Sequence, residues 1–96
     1  MPHFLVEYRE LGNPEARESL RPEHIAYRKG LGDAMALAGP LLGDDEAAIG
    51  SVVILEANDA QAARALAEAD PYVIAEVLEL VSLRKYRIAA MKPPQP

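Results

Sequence analysis

The chain has 96 residues, half of them hydrophobic, with a net charge of −5 and no cysteine. That length makes one domain; the acidic balance argues against sequence-independent nucleic-acid binding, which needs a basic surface; and the missing thiols exclude disulfides and thiolate metal or nucleophile sites. The apolar runs fall far short of the ~20 residues of a membrane helix, and no signal-peptide pattern precedes the first strand, so a soluble, cytoplasmic protein is expected.

In chain order, His3 to Arg9 (HFLVEYR) alternates as a first strand, with Phe4, Val6 and Tyr8 on one face and His3, Leu5, Glu7 and Arg9 on the other. Leu11 to Ala16 contains Gly12, Asn13 and Pro14 and reads as a loop. A first helix is expected from near Leu20 to Gly30 or Leu31, capped by Ser19, with Pro22 and Glu23 in its early turn. Leu20, His24, Tyr27 and Leu31 share one face, because their spacings follow the helical repeat. Gly30 and Gly32 provide its exit.

Ala34 to Leu42 is a second strand, interrupted at Gly39-Pro40 and therefore suited to a sheet edge or a bulge. Gly43 to Ile49 reads as an acidic, mobile connection. Gly50 to Ala57 (GSVVILEA) is the centre of the design. Its unbroken apolar run, Val52 to Leu55, is rich in β-branched residues and fits a strand buried on both faces, with a short buried helix as the competing reading. Asn58 or Asp59 then caps a second helix reaching Ala69, and Pro71 stops it at Asp70. Tyr72 to Glu76 is a turn or short helical piece. A last strand lies within Val77 to Ala89, with Leu78, Leu80 and Ser82 opposite Glu79, Val81 and Leu83.

This β-α-β-β-α-β order is the ferredoxin-like α+β class: an antiparallel four-stranded sheet with two helices on one face. One domain over 1–90 and a disordered tail over 91–96 follow. Two helices leave the other sheet face bare, and a second copy is its simplest cover. A homodimer is expected.

Two ionisable residues stand where helical periodicity places apolar ones. His24 lies among Leu20, Tyr27 and Leu31; Asp70 lies in register with Ala63, Leu66 and Ala67. Both helices pack on one sheet face, so the two side chains can approach. A carboxylate fixes an imidazole tautomer, and such a pair suits general acid/base work. The competing readings are a satisfied boundary histidine and an Asp-Pro helix-end device.

The ordered set Arg21-Pro-Glu-His24-Ile-Ala-Tyr27, Ala38-Gly39-Pro40-Leu41, Gly50 to Ala57 and Asp70-Pro71-Tyr72 resembles the YciI-like (YCII-related) family, over roughly residues 3 to 87. The resemblance implies a dimeric α+β barrel of ferredoxin-like subunits. It also implies a His–Asp pair in a pocket, here His24 and Asp70. Most members have no assigned reaction; one branch is a dehydrochlorinase of a chlorinated hydroxyhydroquinone that uses no metal or organic cofactor. The chain departs from the family pattern at Ala75-Glu76, where a small residue or glycine is common. Tyr86 stands near an aromatic position often held by Trp.

Further candidates for ligand contact are Gly39 and Pro40 as a pocket wall or an edge kink, Tyr72 as a hydrogen-bond donor or a packed residue, and Ser51 and Arg9 as strand residues facing a pocket. His3 and His24 are the only histidines, which makes zinc improbable, and Asp44-Asp45-Glu46 lacks the alternating ligands of a calcium loop. No phosphate-cradling glycine loop is present. The expected function is cofactor-free proton transfer, an elimination or isomerisation, on a small phenolic or carbonyl compound, with His24 as acid/base and Asp70 as its orienter. A non-catalytic small-molecule-binding or interaction module is the alternative. No metal, nucleic acid or membrane is expected as a partner.

Overall fold

The computed structural model describes residues 1–92. Its elements are β1 (His3–Glu10), α1 (Pro14–Gly30), a single 3-10 turn (Gly32–Ala34), β2 (Met35–Leu42), β3 (Ala48–Glu56), α2 (Ala60–Glu68), α3 (Pro71–Ile74) and β4 (Leu78–Tyr86). The strands form one antiparallel sheet in the order β2-β3-β1-β4. This is the ferredoxin-like arrangement. The GSVVILEA run is the inner strand β3, not a helix.

Alternation places Phe4, Val6 and Tyr8 of β1 beside Val53 and Leu55 of β3 on the helix-covered face. They pack against Ala63 and Ala67 of α2, Tyr72 of α3, and Val77 and Leu78. Each large apolar side chain so buried contributes about 1.5–3 kcal/mol. Among the described residues no helix is long and apolar enough to cross a membrane.

Four expectations need correction. The first helix begins at Pro14, not near Leu20, so Leu11 to Ala16 is only partly a loop and Ser19 caps nothing. Asn13 is the N-cap, its carbonyl accepting the first helical bond from the Arg17 amide at 3.0 Å, with Pro14 at the position where proline suits a helix. Pro22 sits inside α1, where it removes the donor that would bond Glu18. Glu18, Ser19 and Pro22 are exposed, so water can serve the freed carbonyl.

Second, β2 is not interrupted at Gly39-Pro40. It runs through both, with Pro40 opposite Ser51. It is an edge strand, where a missing N–H need not cost a ladder bond. Third, the acidic connection is a compact hairpin. The Gly43 amide bonds the Ala47 carbonyl at 2.9 Å, the Asp45 carboxylate accepts from the Ala47 amide at 3.1 Å, and β3 starts at Ala48.

Fourth, β4 does not alternate through its length. Glu7 pairs with Ser82 but Tyr8 pairs with Leu80, which leaves Val81 as a bulge. The extra residue turns Leu83 to the helix-covered face, against Phe4, Ala57 and Ala63, together with Leu78 and Leu80. Of the expected tail, Met91 and Lys92 are exposed without regular structure; 93–96 lie outside the described residues.

Candidate active site

Asp70 is not the last residue of α2. It is an extended residue (φ −61°, ψ 129°) between α2 and α3, and it caps the short α3 by accepting from the Tyr72 amide at 2.9 Å. This bend turns its side chain inward. Asp70 is 1% exposed, the most deeply buried charged residue among those described.

A buried carboxylate is stable only with donors around it. Asp70 has three. Its Oδ1 takes the Tyr72 amide and His24 Nδ1, the latter at 2.8 Å; its Oδ2 takes Arg28 Nε at 3.0 Å. Burial pushes the carboxyl pKa up. The hydrogen bonds from His24 and Tyr72 and the nearby charges of His24 and Arg28 outweigh it and hold the pKa below the ordinary value. Asp70 is therefore ionised at neutral pH and can only accept. It follows that His24 Nδ1 carries the proton in their bond, and His24 Nε2 is left without a protein partner among the described residues.

The imidazole is held on its flat side as well. The Tyr72 ring stacks on it with centroids 3.9 Å apart and planes 6° apart. Tyr72 is itself fixed by its hydroxyl, which donates to the Arg17 carbonyl at 2.8 Å. Burial, partly opposed by Arg17 and Arg21, raises the Tyr72 phenol, and burial pushes the Tyr8 phenol up to about 12 despite Arg28 beside it. Both tyrosines stay protonated near neutrality and serve as donors, not bases.

Arg28 ties this cluster to the sheet. Its Nη1 donates to Ser51 Oγ at 3.2 Å, and Ser51 Oγ reaches the Gly39 carbonyl at 3.4 Å. The guanidinium lies over the Tyr8 ring, 5.3 Å from its centroid. Its Nη2 is buried without a hydrogen-bond partner among the described residues.

His24 opens onto a cavity of about 240 Å³ between α1 and the sheet. Ala38, Gly39 and Pro40 of β2 and Gly50 and Ser51 of β3 form its far wall. A Cβ on Gly50 would stand 2.3 Å from the Tyr8 carbonyl oxygen, so only glycine fits at this point of the β3–β1 pairing. Among the described residues no three His, Asp or Glu side chains gather closely enough to hold a metal ion.

A family model for the YCII-related domain matches residues 1–87. The chain belongs to the YCII-related family. The protein YciI of Escherichia coli O6:H1 is 43% identical over 81 residues, covering 76% of this chain and 83% of the relative, and the YciI of Shigella flexneri gives the same values. The fold also matches a solved structure with a TM-score of 0.74 at 24% identity, covering 91% of this chain and 94% of the other. That structure is the 5-chloro-2-hydroxyhydroquinone dehydrochlorinase of Burkholderia phenoliruptrix AC1100 in complex with 2,5-dihydroxybenzoquinone.

Within this YCII-related chain, the sequence-derived candidates divide cleanly. His24, Asp70, Tyr72, Ser51, Gly39 and Pro40 converge on one cavity or on the cluster behind it. Arg9 does not. It points from β1 to the uncovered sheet face, where it pairs with Glu79. Its place in the alternation, opposite Tyr8, already put it there. The sequence reading missed Arg17, Arg21 and Arg28. Together with His24 they follow spacings of four, three and four along α1, a periodicity that was open to the same face argument.

Proposed function

We propose that this protein is a cofactor-free acid/base enzyme that moves a proton on a small phenolic or carbonyl compound. The observation that carries the reading is the 2.8 Å bond from His24 Nδ1 to buried Asp70, which leaves Nε2 for a ligand in the cavity. In an elimination, Nε2 takes a proton from carbon, the C–H electron pair becomes the new double bond, and the leaving group departs with its own pair. In an isomerisation, the same proton is returned at another atom. Asp70 holds the tautomer and stabilises the imidazolium as it forms. The structural neighbour is a dehydrochlorinase, so its chemistry is of the elimination class.

The working form is proposed to be a cytoplasmic homodimer. The uncovered face presents the half-buried Leu5 and Val52 in its middle, around the already buried Ile54, and exposes Leu37 and Val81 toward its edges. A second sheet would bury these side chains.

The test is a panel of small phenols, cyclic enones and their carboxylate-bearing analogues, screened by thermal shift and then by product analysis, against wild type and His24→Leu. The expected result is that the variant folds and loses turnover by about 10²–10⁴-fold. Binding that depends on His24 without turnover of any bound compound would favour the non-catalytic module. Unchanged turnover in the variant would remove His24 from the chemistry.

A further inference from the structure

The cavity is positively charged, although the chain as a whole is acidic. Arg17, Arg21, His24 and Arg28 all line or face it from α1, and among the described residues Glu10 is its only lining carboxylate. The charges can be matched pair by pair. Arg17 Nε meets Glu10 Oε1 at 3.0 Å, and Arg28 Nε meets Asp70 Oδ2 at 3.0 Å. Arg21 has no carboxylate within 4.0 Å among the described residues. One arginine charge is therefore left over at the cavity, in a molecule whose net charge is −5.

Arg21 also stands next to the chemistry. It precedes His24 by three residues on the same helix face, and its charge reaches the Tyr72 phenol whose ring covers the imidazole. The opposite wall carries no charge at all, being Ala38, Gly39, Pro40, Gly50 and Ser51. The site thus has a cationic side and an uncharged side. Its size is limited: a cavity of about 150 Å³ holds benzene, so 240 Å³ holds one substituted ring or a shorter chain.

We propose that the cavity selects a small organic monoanion, with its negative oxygen at Arg21 and its reacting hydrogen at His24 Nε2. The substrate class is a carboxylate, enolate or phenolate of about one ring; neutral phenols and ketones are poor ligands. Placing His24 at the reacting atom rests on the acid/base reading above, whereas the preference for an anion rests on the arginine charge. The same arginine would stabilise negative charge that grows on an oxygen as His24 removes a proton. Guanidinium suits this role, because it stays charged and meets a carboxylate with paired donors.

The probes are matched in shape and differ in charge: benzoate against benzamide, and salicylate against salicylamide. Affinities are measured by calorimetry at 20 and 200 mM salt for wild type, Arg21→Gln, Arg21→Lys and Arg64→Gln, the last being an exposed arginine on α2 remote from the cavity. Each anion should bind wild type at least about tenfold more tightly than its amide, as a charge-assisted contact implies. Arg21→Gln should erase that preference, Arg21→Lys should keep part of it, and Arg64→Gln should change nothing. Equal binding of acid and amide, or a preference that survives Arg21→Gln, overturns the proposal. That failure is separate from failure of the acid/base reading. A neutral compound turned over in a His24-dependent way would sink the anion proposal and leave the enzyme; an Arg21-dependent anion preference without proton transfer would do the reverse.

Discussion

Asp70 sets the behaviour of the residues around it. It is buried and ionised, and it satisfies His24, Arg28 and the Tyr72 amide at once. Its lowered pKa has a stability consequence with a definite sign. The contribution is fully present above the ordinary carboxyl value near 3.8 and is lost as pH falls through the lower folded value. Urea unfolding between pH 2 and pH 7 should therefore show an acid-side decline that Asp70→Asn reduces. At pH 7 the same variant should be destabilised by up to about 3–5 kcal/mol, since it leaves the partly buried Arg28 charge unpaired. A second residue works against stability. Glu76 holds φ +59°, a left-handed conformation that costs a side chain roughly 1–2 kcal/mol and costs glycine none. Glu76→Gly should raise the urea midpoint with the slope unchanged. His24 was legible because it broke an apolar stripe; Asp70 was reached by running the stripe of α2 past the helix end, whereas the bend before α3 is what turns it inward. Arg28 shares a helix stripe with Arg17, Arg21 and His24, but such a stripe reads as solvated surface until Asp70 is known to lie against it.

At the level of elements, the inner strand β3 was legible because a β-branched run with glycine at its head suits little else. What the run does not disclose is why that glycine is there. Gly50 lies against the Tyr8 carbonyl, and a methyl group would have to push two paired strands apart. Gly50→Ala should cost about 1–3 kcal/mol or more, read from chemical denaturation, and should also disturb the cavity wall that Gly50 forms. The start of α1 was misplaced because Ser19-x-x-Pro22 is as good a local start signal as Asn13-Pro14, and only packing of Ala16 and Leu20 on the core decides between them. The bulge at Val81 left no mark in composition. It becomes visible only through the pairing of Tyr8 with Leu80 and Glu7 with Ser82.

For the whole molecule, topology was the most legible feature, since the order of strand and helix patterns admits few arrangements in so short a chain. The helices cover one face of the sheet, and the other face carries the apolar middle described above. Light scattering at micromolar concentration should give about twice 10.4 kDa; a stable monomer would leave that face without a cover. The central claim, however, is that His24 Nε2 moves a proton, and it can be tested before the natural substrate is known. The measurement is deuterium exchange from solvent into the acidic C–H positions of a panel of small keto acids and cyclic ketones, followed by NMR with and without the protein. Exchange above the buffer rate with wild type, falling at least about 10²-fold in His24→Leu while the variant remains folded, is the result expected of a positioned base. Equal exchange in the two proteins, or none above buffer in either across the panel, would contradict it.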